Sequence, residues 1–316
     1  MHAELPQHDV VLLGAGHTNA HVLRMWRMEP VRRARLTVIS NFPVATYSGM
    51  LPGTLAGQYA DDAMQIDLVR LCAAAGARLV VDEVTGLDRK RRELTFADRP
   101  PVRFDVLSVG IGSQPVGMDL VEDHRAVLAI KPMQRFLARL EAALAELPPR
   151  GTLRVAVVGG GAGGIEITFC LPPRVARCKP EAKLQLLLID SGKELLPGSP
   201  AAGRRVRQTL DERGVKQLLG HKVQRIEGQE LVLSGGDRER FDLALWATSA
   251  MSPPLLAKLG LPTDKRGFLL TKSTLQSTGD DDVFAVGDTG TLVEHDPPKA
   301  GVYAVRQGPV LWENIR

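Results

Sequence analysis

Three glycines, Gly159, Gly161 and Gly164, stand between a strand-like run, "LRVAVV", and a helix-like run, "IEITF". At a strand-to-helix turn, G-x-G-x-x-G spacing suits a dinucleotide pyrophosphate. The first glycine permits the tight turn, the second lets phosphate approach the backbone, and the third lets helix and strand pack closely. The helix N-terminus then presents free N–H groups and a partial positive charge. The next strand-like run, "KLQLLLID", ends in Asp190, 26 residues past Gly164. An acid there accepts hydrogen bonds from ribose hydroxyls and repels a 2′-phosphate, which favours NAD(H) over NADP(H). Lys193 is near enough to soften that preference. A poorer copy opens the chain. In "DVVLLGAGHTNAHVL", Gly14 and Gly16 follow a strand, but His17 comes next and Asn19 stands where a third glycine is expected. The following strand ends in Ser40-Asn41, without an acid. Far downstream, "DDVFAVGDTG" places Gly287-Asp288 at the end of a short buried strand. Ligands of a doubly wound sheet sit at such carboxyl ends, so Asp288 either binds a polyol hydroxyl or caps the next helix.

The elements that must position these residues follow from patterning. Val10–Leu13 reads as a buried strand, Thr18–Met28 as a helix and Ala34–Ser40 as a second buried strand. That is half of a doubly wound α/β fold. "VDEVTGLDRKRRELTF" alternates and is expected to turn at Thr85-Gly86 in an antiparallel excursion. "RFDVLSVGIGSQP" is a strand that ends among Gly110, Gly112 and Pro115. Lys131–Leu147 is an amphipathic helix, closed by "LPPRG". The order then restarts, and "RFDLALWATSAMSPP" echoes "RFDVLSVGIGSQP". A repeat of about 140 residues implies two Rossmann-like dinucleotide-binding domains, and so two nucleotides.

Composition excludes several classes. Forty basic against 36 acidic residues leave a net charge of +4, too little for a strong field. The Arg clusters are interrupted by apolar or acidic residues and read as solvated faces, not nucleic-acid contacts. Cys72, Cys170 and Cys178 are an odd set without C-x-x-C spacing, which argues for a reducing, cytoplasmic setting and against a disulfide framework or zinc site. "MHAELPQHD" has no signal-peptide character, and runs such as "LQLLLI" are far short of a membrane span. His17 and His21 are four apart, as a metal pair on one helix face could be, but no further ligand set accompanies them, so no metal is expected.

The order Gly14-x-Gly16, "SVGIGSQP", Gly159-x-Gly161-x-x-Gly164, "WATSA" and "VFAVGD" resembles the flavoprotein reductases of the pyridine nucleotide–disulfide oxidoreductase superfamily, in particular its type II NADH dehydrogenase-like group. "GHTNAHV", "TYSGMLPGTLAG", "PKAGVYAVRQGPVL" and "TLQSTGDDDVFAVGD" are similar to the NADH dehydrogenase-like domain found in front of selenide, water dikinase. The resemblance implies FAD in a discontinuous first domain, residues 1–118 and 256–316, and NAD(H) in a second, residues 119–255. It implies flavin contacts from Gly14, Gly16, His17, Thr18, Asn19, Ser40, Gly112, Gly287 and Asp288. Lys299, Ala300 and Gly301 would open a helix aimed at the flavin pyrimidine. Ser249 departs from the usual "WATGA", and Pro172-Pro173 should end the second domain's first helix early.

Glu166, expected on the first turn of that helix, either orients the nicotinamide carboxamide or simply answers the helix dipole. "YSGMLPG" holds the place of the redox cysteine pair of disulfide reductases and carries none, which implies electron transfer from flavin directly to a quinone or other small acceptor. The rival is a flavin- and NADH-binding sensor or scaffold with little turnover. Relatives continue beyond the helix near Lys299, whereas this sequence ends at Arg316. The expectation is therefore exposed apolar surface that self-associates or docks another domain, without firm membrane binding.

Overall fold

The computed structural model describes residues 5–121 and 124–316. The chain forms two compact units. One holds the described residues up to Tyr47, Gln65–Gln114 and Met251–Arg316; the other holds Ser48–Met64 and the described residues of Pro115–Ala250.

In the first unit, five strands run parallel in the spatial order Arg78–Val81, Ala34–Ser40, His8–Leu13, Val106–Val109, Asp280–Ala285. Gln276–Ser277, Leu269–Thr271 and Gly290–Leu292 extend that sheet beyond Asp280–Ala285. The run Val10-Val11-Leu12-Leu13 is buried on both faces, which suits an interior parallel strand. The helix His17–Met28 follows it and packs on the C-terminal helix Gly301–Ile315, where Trp26 and Trp312 meet edge to face at 6.4 Å. Gly308 makes this approach possible: a Cβ there would lie 2.7 Å from the His21 ring.

The second unit has a fully parallel sheet ordered Val127–Ala129, Leu243–Trp246, Arg150–Val158, Glu181–Asp190, Lys216–Leu219. Its strands divide their side chains by the two-residue period. Leu153, Val155 and Val157 join one core, with helix residues Phe136, Leu140 and Leu171. Ala156 and Val158 join the other, under Leu231, Leu233 and Phe241. Ser48–Met64 lies early in the chain but contributes Leu51, Leu55 and Met64 to the helix-side core of this unit.

Two local expectations are corrected. The helix Ala162–Cys178 continues through Pro172-Pro173. Proline removes the N–H groups that the Thr168 and Phe169 carbonyls would accept, yet the prolines themselves lie toward the outer side, while Leu171 and Val175 on either side stay in the core. Packing outweighs propensity here. The antiparallel excursion does not turn at Thr85-Gly86: the strands are Val84–Asp88, Glu93–Phe96 and Val102–Arg103, and Gly86 sits within the first of them at a register irregularity. Glycine in a strand marks a bulge as readily as a turn.

Arg174 is fully buried and donates to Asp61 at 3.0 Å and to Glu141 at 2.7 Å, which pins the Ser48–Met64 segment to the helix; both acids are nearly half exposed. Stability should respond asymmetrically. Arg174→Met should cost about 1 kcal/mol or less, because an apolar chain replaces a buried ion. Asp61→Ala with Glu141→Ala should cost about 3–5 kcal/mol, because a buried guanidinium is left unpaired. Urea denaturation of the two variants measures the difference.

Candidate nucleotide-binding sites

The second unit's turn is built by exclusion of side chains. Gly159 has φ +117°, and a Cβ there would stand 2.2 Å from the Ala247 carbonyl oxygen; one on Gly164 would stand 1.8 Å from the Gly159 oxygen. Gly161 is different. It caps the helix Ala162–Cys178 with no side-chain hydrogen bond, and nothing lies within 4 Å of its Cβ position. An uncapped helix end over open space is where an anionic group can approach the first-turn N–H groups. Asp190 ends the neighbouring strand, and its carboxylate accepts from the Gly160 N–H and, at 2.6 Å, from the Gly192 N–H. The "WATSA" loop is tied to Val116: Trp246 Nε1 and Thr248 Oγ1 each donate to its carbonyl at 2.7 Å, and its N–H donates to the Ser249 carbonyl at 2.9 Å. The Ser249 side chain is exposed. Glu166 is exposed too, but it falls in the second turn of its helix, and the first turn holds no acid. The dipole reading of Glu166 weakens accordingly, since that effect fades beyond the first turn.

The first unit solves the same turn another way. Gly14 has φ +83°, and a Cβ there would be 2.4 Å from the Gly110 oxygen. Gly16 caps the helix His17–Met28 without a side-chain hydrogen bond. Asn19, 1% exposed, donates from Nδ2 to the Gly14 carbonyl at 2.7 Å and accepts from Ser108 Oγ at 2.7 Å. Its amide thus ties the turn to the neighbouring strand. Thr18, also buried, donates to the Ala304 carbonyl at 2.7 Å and holds the two helices together. Ser40 is buried and accepts from the Phe42 N–H at 3.3 Å. Asn19 therefore shapes the turn, while the Thr18 side chain joins two helices and Ser40 fixes the segment after its own strand.

Other expected residues do gather at one place in this unit. Asp288 accepts from Ser113 Oγ at 2.7 Å, and the Gly112 N–H donates to Thr289 Oγ1 at 2.9 Å. The Gly287 N–H donates to Gln307 Oε1 at 2.6 Å. Gly287, Asp288, Lys299, Ala300, Tyr303 and Gln307 line a shallow concavity. Ala300 caps the helix Gly301–Ile315, again with no side-chain bond. Lys299 turns back into the protein: Nζ donates to the Gly290 carbonyl at 2.5 Å and Thr291 Oγ1 at 2.8 Å, and lies 4.2 Å from the Phe268 ring centre. Burial, helped by Arg266, lowers its pKa against the pull of Asp264, Asp288 and Asp296. His17 stacks on Tyr47 at 4.8 Å; burial lowers its pKa, partly offset by Asp288. His21 packs at Gly308, and its pKa is lowered by burial and then by Arg24. Among the described residues no cluster of three or more His, Cys, Asp or Glu is placed to hold a metal ion. Ser108 and Ser113 lie within "SVGIGSQP" and Gln307 within "PKAGVYAVRQGPVL", but nothing in those motifs marks them as partners of Asn19, Asp288 and Gly287, which only the fold brings near.

The three cysteines are free thiols. Burial pushes Cys72 up to about 11, and burial with Glu166 raises Cys170. Cys170 and Cys178 share one helix, eight residues apart, which at 1.5 Å rise per residue separates them by about 12 Å along the axis. A disulfide needs Cα atoms within about 7 Å.

A mixed sheet with five parallel strands in one unit and a parallel sheet in the other, each with a glycine turn at an uncapped helix end, define a protein with two Rossmann-like units. A family model for pyridine nucleotide-disulphide oxidoreductase matches residues 8–308. The chain belongs to that family. It is 29% identical over 234 residues to demethylphylloquinone reductase NdbB of Synechocystis sp., covering 70% of this chain and 55% of that protein. It is 22% identical over 329 residues to the type II NADH:quinone oxidoreductase of Staphylococcus saprophyticus, covering 97% and 81%. The water-forming NADH oxidase of Lactobacillus brevis, solved bound to NADH, shares the fold at a TM-score of 0.80 and 20% identity, over 98% of this chain and 69% of that one. The chain spans about half the length of the Synechocystis relative it matches. Among the described residues no helix is long and apolar enough to cross a membrane.

The Asn19 tether makes a test. Asn19→Ala should lower stability by about 1–3 kcal/mol, because it leaves the buried Ser108 hydroxyl without its acceptor. Adding Ser108→Ala should cost less than the sum of the single changes, since the two share one hydrogen bond. Denaturation of all three variants closes the cycle.

Proposed function

We propose that the chain is an FAD-dependent NAD(P)H oxidoreductase that uses NADH and passes electrons to a quinone or another small acceptor without a redox disulfide. The carrying observation is the pair of uncapped glycine turns, one in each unit. The first unit is proposed to hold FAD and the second NAD(H). FAD, when bound, would supply the redox chemistry: a centre able to accept hydride from a reduced nicotinamide and to pass electrons on to the acceptor.

The chain's own residues fit the two groups. Gly14 and Gly159 keep side chains out of the turns, and the ends of the helices at Gly16 and Gly161 offer N–H groups to phosphate oxygens. Asp288 is held by Ser113, and Gln307 fixes the preceding Gly287, so the carboxylate stands ready for ribitol hydroxyls. The helix that begins at Gly301 would place its positive end toward developing negative charge on the flavin ring. Lys299 is proposed to buttress this site through Gly290 and Thr291. Glu166, exposed near its helix start, remains available to the carboxamide. The thiols support a disulfide-free route, because burial raises the pKa of Cys72 and of Cys170, and the two on one helix are too far apart to pair. The names of the Synechocystis and Staphylococcus relatives support a quinone as acceptor.

Anaerobic titration with NADH should bleach the flavin absorbance of the purified protein, and a soluble quinone should restore it. Protein that never takes up FAD from excess would contradict the proposal, as would bound flavin that NADH leaves oxidised. Asp288→Ala should weaken flavin binding by about ten-fold or more, as expected for losing hydrogen bonds to a charged group. Cys72, Cys170 and Cys178 changed together to Ser should leave NADH-to-dye turnover within a few-fold.

A further inference from the structure

Asp190 holds the second turn by its side chain. The role assigned to it rests on reading that unit as the NAD(H) site. Its carboxylate takes one N–H from Gly160, inside the glycine turn, and one from Gly192, in the loop after its own strand. The main chain around it is equally tied: the Gly159 N–H donates to the Ile189 carbonyl at 2.8 Å, and the His221 N–H to the Asp190 carbonyl at 3.0 Å. Gly160 leaves no slack, because a Cβ there would stand 2.8 Å from Asp190 Cβ.

We propose that Asp190 is a positioning residue that clamps the Gly160 turn to the Gly192 loop and so supports NAD and NADP binding alike, rather than choosing between them by its charge. Hydrogen bonds from N–H to an ionised carboxylate are the stronger class, and here both oxygens are engaged. Two N–H dipoles aimed at the carboxylate offset its negative charge, which weakens its repulsion of a 2′-phosphate. Lys193 stands three residues later, with Cγ 3.5 Å from the Cβ position of Gly220, so its stem lies along the loop that continues from the next strand. Removing the acid therefore loosens the phosphate cradle, which both nucleotides share, before it alters the ribose pocket, in which they differ.

Isothermal titration of the FAD-loaded protein with NAD+ and with NADP+ tests this without turnover. Asp190→Ala should raise both dissociation constants together by about ten-fold or more, with their ratio kept within about three-fold, as expected for losing charge-assisted bonds. Asp190→Asn keeps one oxygen for one of the two amides and should restore part of both affinities. Asp190→Ala should melt a few degrees below wild type, because the buried Gly160 N–H loses its acceptor, yet unfold in one cooperative step with its flavin content kept, which separates a loosened turn from an unfolded unit. If Asp190→Ala weakens NAD+ while NADP+ binds as before or more tightly, the clamp is wrong and the acid selects by charge. If wild type binds neither nucleotide, the NAD(H) reading of the unit fails, and the clamp with it.

Discussion

Both units depend on main-chain contacts too close for any side chain. In the second, Gly164 lies over the Gly159 oxygen and Gly159 against the Ala247 oxygen; in the first, Gly14 lies against the Gly110 oxygen. In each unit the contacted carbonyl belongs to the residue just past a neighbouring strand, Val106–Val109 or Leu243–Trp246. One geometric demand thus sets where the neighbouring strands end, how the helix starts, and why its first N–H groups are uncapped. A Cβ at Gly14 or Gly159 would push the turn off its neighbour and spoil the cradle from outside it.

The two units meet that demand with different chemistry. The second uses a third glycine and lets helix and strand touch; Thr168 Oγ1 then donates to the Gly164 carbonyl at 2.8 Å, one turn further along the helix. The first substitutes Asn19, whose amide bonds the Gly14 carbonyl and receives the Ser108 hydroxyl. A buried amide needs its partners, so the asparagine solution works only with a polar residue on the facing strand. Missing the third glycine is therefore compatible with a nucleotide turn.

Much of this is legible in the sequence because its signals are local. Continuous aliphatic runs mark the buried strands, and glycine spacing marks both turns. The start of the helix at Gly301 is legible from the resemblance of "PKAG". What escapes depends on distant partners. Pro172-Pro173 reads as a helix stop, but packing by Leu171, Arg174 and Val175 carries the helix through. Gly86 reads as a turn and is a strand irregularity. Ser48–Met64 reads as part of the first domain, yet it clusters with the second unit, through Leu51, Leu55 and the Asp61–Arg174 pair. Lys299 reads as a cofactor contact by its place in "PKAG"; its bonds to Gly290 and Thr291 form only when strand and loop meet.

Native mass spectrometry of the purified protein counts the two proposed dinucleotide sites directly. One FAD per chain is expected, and one further dinucleotide per chain when NAD+ is added, without loss of the first. A chain that binds only one dinucleotide, or that exchanges FAD for NAD+ at a single site, would contradict the two-site proposal.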